Sequence, residues 1–142
     1  MILVVDASVA CKWFIEESGS AEAANLFTAA DGLIAPDLIV PEVCNALWRK
    51  RRGGEIGTAQ ATAAIDSLGG LLDDIVPGVG LAARSFAIAE ALGHPVYDCF
   101  YLALAELRQT KLVTADKRLL DRLVETSWAQ RAASVYDHES IV

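Results

Sequence analysis

The sequence predicts an α/β fold: a central parallel β-sheet of about five short strands, flanked by α-helices on both sides. Two observations carry this. Short apolar runs alternate along the chain with longer stretches of helical periodicity, which is the signature of parallel strands joined by helical crossovers. Hydrophobic residues make up 54% of the 142 residues, with Ala abundant, which favours a compact core over disorder. No repeat, low-complexity tract or long linker interrupts the pattern, so residues 1–142 read as one domain.

The first strand is 2–5, the continuous apolar run Ile2-Leu3-Val4-Val5, which ends abruptly in Asp6. Helices are expected over 8–17 and 20–30, a strand over 33–35, and a helix over 37–52. In that last helix Val40, Val43, Cys44 and Leu47 form one face and Glu42, Asn45 and Arg49 the opposite one. Pro41 is tolerable there because it falls in the first turn, and Gly53-Gly54 ends the helix. A helix over 58–70 leads to a strand at 74–76. Helices over 79–92 and 96–109 follow, divided by Gly93 as a stop and Pro95 as an opening residue. A strand at 112–114 precedes a helix at 117–128, where Leu119, Leu120, Leu123 and Val124 make a stripe opposite Lys117, Arg118 and Arg122. The last strand is 133–136.

Net charge is −7, from 19 acidic and 12 basic residues, which argues against indiscriminate nucleic-acid binding. The basic residues are nevertheless concentrated in Arg49-Lys50-Arg51-Arg52. That cluster suits a helix C-terminus, whose dipole it complements, and equally an exposed phosphate-contacting patch. Cys11, Cys44 and Cys99 are odd in number and lack CxxC spacing, so they read as small apolar residues of a reducing compartment rather than a zinc site. Trp13 and Trp48 are expected in the core. The N-terminus has no basic region before its apolar run, and no charge-free stretch reaches the ~18 residues of a membrane helix. A cytoplasmic protein without a membrane partner is expected.

The acids carry the functional signal. Asp6 follows the first strand, and Asp116 follows Leu112-Val113-Thr114, so both lie where open parallel sheets bind ligands. Helix capping accounts equally well for either acid taken alone. Asp98 is the only acid of HPVYDCFYLALAEL before Glu106, on a helix apolar nearly all round. Burying an unpaired carboxylate there costs several kcal/mol, which its place in the first helical turn offsets by only ~1 kcal/mol. A cation is therefore its expected partner. Glu42, beside Asn45 and Arg49, reads equally as a solvated charge or a site residue. Glu16-Glu17, Asp73-Asp74 and Glu90 read as solvated charges, and Asp137 and Glu139 as charges of the C-terminal tail.

Taken in order, VVDASV, PEVCNALW, HPVYDCFYLALAEL and LVTADKRLL resemble the PIN-domain ribonucleases. The likeness is to VapC-type toxins of toxin–antitoxin pairs, in particular the FitB-like branch, and it spans essentially the whole chain. It implies a PIN fold with Asp6, Glu42, Asp98 and Asp116 as the catalytic, metal-binding carboxylates, Thr114 as the accompanying hydroxyl, and Ser8 as a pocket contact. It also implies a homodimer, a VapB-type antitoxin, and contact with operator DNA only through the antitoxin complex.

Gathered carboxylates repel by ~4 kcal/mol per pair at 4 Å and an effective dielectric of 20, so they call for a proton or a divalent ion. Oxygen ligands without His or Cys favour Mg²⁺ or Mn²⁺ over zinc. The expected activity is a metal-dependent endoribonuclease of the type II toxin class, hydrolysing RNA phosphodiesters. Lys12, the 49–52 cluster, Lys117 and Arg118 are candidates for holding flanking phosphates, and His94 reads as structural. The competing reading is a PIN-like binding module without turnover that acts on DNA through its antitoxin complex. A haloacid-dehalogenase-like phosphatase needs an acid where Ser8 stands, a receiver domain needs paired acids after its first strand, and PGVG is no dinucleotide fingerprint.

Overall fold

The computed structural model describes residues 1–141. Among them the chain forms a five-stranded sheet in the order β3-β2-β1-β4-β5. The strands are β1 Ile2–Val5, β2 Gly32–Pro36, β3 Asp74–Val76, β4 Leu112–Thr114 and β5 Ala132–Ser134. All neighbouring pairs are parallel. The helices are α1 Ala7–Ala10, α2 Ser20–Ala29, α3 Ile39–Arg52, α4 Thr58–Leu71, α5 Ala82–Leu92, α6 Val96–Leu107, α7 Lys117–Leu123 and α8 His138–Ile141. The α/β sheet flanked by helices is thus the one the sequence predicts.

Continuous apolar strands are required because helices cover the sheet. In β1, Leu3, Val4 and Val5 are buried, as are Leu112 and Val113 beside them in β4. α6 lies against β1, β2 and β4, and Cys99 and Tyr101–Ala105 are all buried, which accounts for its nearly all-apolar sequence. The chain runs outward from β1 through β2 to β3, then returns to the other side of β1 as β4 and β5. The topological switch therefore falls between β1 and β4, where a crevice opens beyond the carboxyl ends of the strands. Val5 pairs with Val113, so the next residues, Asp6 and Thr114, are neighbours at that crevice.

Several boundaries differ from the sequence reading. The helix expected over 8–17 is only α1, followed by a 3₁₀ turn at Cys11–Trp13. There the Trp13 indole donates to the Ala23 carbonyl and stacks on Phe27, which folds the chain back onto α2. Gly19, at φ +88°, makes the turn; a Cβ there would stand 2.8 Å from the Tyr136 hydroxyl. α5 starts three residues later than expected, behind a 3₁₀ turn at Gly78–Gly80. α7 ends at Leu123, whose carbonyl accepts from both the amide and the hydroxyl of Thr126. Val124 is consequently exposed rather than part of the apolar stripe. The last strand is shifted to Ala132–Ser134, and Asp137 is not a free tail charge but accepts from Ser140 in the unpredicted helix α8.

Two apolar expectations also change. The buried edge of α3 is Ile39, Val43 and Leu47, one stripe at four-residue spacing, and Val40 beside it is exposed. Trp48 is 54% exposed with the Arg52 guanidinium 5.4 Å above its ring, whereas Trp13 does pack against the core. Cys11 and Cys99 are buried, Cys44 is half-buried, and all three are free thiols. Asp73 and Asp74 are engaged, Asp73 by the Leu33 amide and Asp74 by Arg108. Among the described residues no helix is long and apolar enough to cross a membrane.

Candidate active site

Asp6 leaves β1 in extended conformation and caps α1, its Oδ1 accepting from the Val9 amide at 3.2 Å. Capping and site formation are not alternatives here. The same Oδ1 accepts from the Ser8 hydroxyl at 2.5 Å, and Oδ2 accepts from the Thr114 hydroxyl. Each hydroxyl is in turn held by a backbone amide from the end of β4. Ala115 N–H donates to Ser8 at 3.0 Å, and Asp116 N–H donates to Thr114 at 3.0 Å. The ends of β1 and β4 are thus laced through one carboxylate and two hydroxyls, both of which are oriented with their protons toward Asp6.

Asp6 is 6% exposed and Thr114 fully buried. Burial pushes the Asp6 carboxyl up to about 6, against the lowering effect of the Ser8, Thr114 and Val9 donors, and the negative charge of Asp98 adds to the rise. Burial likewise raises Glu42; the Tyr101 hydroxyl opposes this and Asp98 reinforces it. Asp98 therefore acts electrostatically on both other acids, from α6 toward the end of β1 and toward α3.

Two further partners define the group. Tyr101, 1% exposed on α6, donates its hydroxyl to Glu42 Oε1 at 2.5 Å. Burial, then the charges of Glu42, Asp6 and Asp98, push the phenol far up, so it stays a donor. His94 Nε2 lies 2.6 Å from Asp98 Oδ2, joining the α5–α6 loop to the first turn of α6. Asp98 is half-buried, not sunk in the core, because it sits at the amino end of the helix whose later turns are buried. Asp116 caps α7, accepting from Arg118 and Leu119 amides at 3.0 and 3.2 Å through Oδ1 alone. Only its backbone amide meets the group, through Thr114; the carboxylate itself is turned to α7.

Hydrogen bonds join Asp6, Ser8, Thr114 and the Asp116 amide, while Asp98 bears on Asp6 and Glu42 only as a minor charge effect. Each acid is turned to a local partner, and among the described residues no three His, Cys, Asp or Glu side chains are grouped closely enough to hold an ion as placed. The donor chemistry is nevertheless that of a hard divalent cation: carboxylate and hydroxyl oxygens, with two carboxyls whose ionised form burial disfavours and a cation would favour. Tyr101 and the role of His94 are missing from the sequence reading. Their signals were a second tyrosine, one turn after Tyr97, at the start of the most apolar part of the helix, and a His one turn before Asp98.

The class that this fold and site define is an α/β domain with a buried carboxylate, Asp6, at the switch point of a parallel sheet. The PIN domain model matches residues 3–125, and the chain belongs to that family. It is 32% identical to Ribonuclease VapC3 of Pyrobaculum aerophilum over 86% of this chain and 95% of the relative. It is 34% identical to Ribonuclease VapC9 of Mycobacterium tuberculosis over 84% of this chain and 90% of the relative. Two crystal structures share the fold. A Pyrobaculum aerophilum protein superposes with TM-score 0.71 at 24% identity, covering 96% of this chain and 90% of its own. VapBC2 from Rickettsia felis, bound to a DNA fragment from their promoter, superposes with TM-score 0.64 at 11% identity, covering 94% and 98%.

Proposed function

We propose that the chain, as a single PIN domain over 1–142, is an Mg²⁺- or Mn²⁺-dependent endoribonuclease and the toxin of a type II toxin–antitoxin pair. The observation that carries this reading is the laced junction of Asp6 with Ser8 and Thr114, to whose buried carboxyl the charge of Asp98 also contributes. The names of the VapC relatives support RNA hydrolysis. The VapBC structural neighbours support a VapB-type antitoxin as partner, and the Rickettsia felis complex supports contact with operator DNA through such a pair. A homodimer follows from the same family reading.

Asp6, Asp98 and Asp116 would hold the divalent ion, with Glu42 completing the set, each carboxylate exchanging part of its present local contact for it. When bound, the ion would supply charge neutralisation at the scissile phosphate and a lowered pKa for an attacking water. Ser8 and Thr114 keep both Asp6 oxygens oriented while the backbone amides hold the hydroxyls. Tyr101 holds Glu42, and Glu42 would align the attacking water and accept its proton. The buried position of Asp6 excludes bulk water from its inner side.

The test is incubation of purified protein with structured RNAs, with and without Mn²⁺, beside an Asp6→Asn control. Metal-dependent cleavage absent from the control is expected. No cleavage in either condition would replace this reading with that of a binding module.

A further inference from the structure

A cleft of about 430 Å³ runs beside α3, and of the four proposed acids Glu42 lines it. Ser8 and Glu42 line it, and Asn45 and Arg49 follow Glu42 along the same edge of the helix. Glu42 and Arg49 are seven residues apart, so Arg49 stands two turns, ~10 Å along the axis, from the acid. The basic run 49–52 looks uniform in sequence, but its members do different things. Lys50 is paired with Glu17 and Glu55. Arg51 donates to the Thr58 hydroxyl, and Arg52 stacks on Trp48. Lys12, which also lines the cleft, is largely buried and tied to Glu17 and the Ser18 carbonyl. Glu17 is therefore shared by two lysines, and its charge is already answered. Arg49 alone of the run faces the cleft without an ion pair or side-chain hydrogen bond among the described residues.

We infer that this cleft is a phosphate subsite for the RNA strand as it leaves the carboxylate group, with the Arg49 guanidinium as its cation and the Asn45 amide as its neutral donor. The inference rests on the ribonuclease reading and assigns the path of the substrate within it. A polyanion approaching a pocket of acids needs a fixed cation outside it, and a planar guanidinium holds a phosphate by two parallel hydrogen bonds. An uncommitted Arg loses no existing partner on doing so. The cations at 50, 51 and 52 would each have to give one up.

The test is binding of a short, fluorescently labelled single-stranded RNA across a salt series, in the Asp6→Asn background so that no turnover intervenes. Arg49→Gln is expected to weaken binding several-fold and to lower the slope of log K against log salt by about 0.7, one phosphate contact on a single strand. Arg51→Gln and Arg52→Gln are expected to change it less, and Asn45→Ala to weaken binding without altering the slope. Arg49→Gln indistinguishable from Arg51→Gln, in a protein whose parent cleaves RNA, would overturn the subsite alone. A parent that neither cleaves nor binds RNA would overturn the ribonuclease reading with it.

Discussion

The Tyr101 hydroxyl, almost wholly buried on α6, donates to Glu42 Oε1 on α3 at 2.5 Å and so fixes a carboxylate from one helix with the core of another. Tyr101→Phe removes the donor and little volume. With Glu42 in its proposed ligand role, the variant is expected to fold and to lose about ten- to a hundredfold in divalent-ion affinity or activity. Calorimetric titration with Mn²⁺ alongside thermal unfolding separates this from a general loss of structure.

Asp6 makes the fold less stable as pH rises. Its carboxyl lies near 6 in the folded chain against an ordinary 3.8, with burial as the chief cause. The native state therefore binds this proton more tightly than the unfolded chain. Its stabilising contribution is complete below about 4 and is lost as pH rises through about 6. Asp6→Asn is expected to raise metal-free stability at neutral pH, on the order of 2 kcal/mol, and to flatten the dependence over this window. Urea unfolding at a series of pH values measures both.

Thr114→Val keeps the shape of a buried side chain but cuts the lacing of β1 to β4. It removes the donor to Asp6 Oδ2 and the acceptor of the Asp116 amide. A loss of about 1–3 kcal/mol is expected. Because the Thr114 hydrogen bond lowers the Asp6 carboxyl, its removal should move that titration upward. Carboxyl-carbon NMR against pH reads this directly.

His94 braces Asp98 from the loop before α6, at 2.6 Å. His94→Ala is expected to lower Mn²⁺ affinity about tenfold or more; the side chain is only 15% exposed, so a modest loss of unfolding stability is expected beside it. His94→Gln, whose amide can restore the contact, should recover part of the affinity.

The sheet was legible because β1 and β4 are buried on both faces and must be written as unbroken apolar runs. The strand-end acids were legible for the same reason: Asp6 follows the first run directly, and Asp116 comes two residues after the end of β4. What the sequence concealed depended on long-range contacts. The end of α1 is set by Trp13 meeting Ala23 and Phe27, and the exposure of Trp48 by which side of α3 faces solvent. Tyr101 was hidden among apolar neighbours because its partner Glu42 lies 59 residues away. The uneven commitment of residues 49–52 could be seen only once Glu17, Thr58 and Glu55 were placed beside them.

The central claim is that the Asp6 junction binds a divalent cation that the relieved charges of Asp98 and Glu42 help to retain. Isothermal titration of Mg²⁺ and Mn²⁺ into folded parent protein and into Asp6→Asn tests it most directly. Saturable uptake by the parent, lost or greatly weakened in the variant, is expected. Equal uptake by the two proteins, or none by the parent, would contradict it.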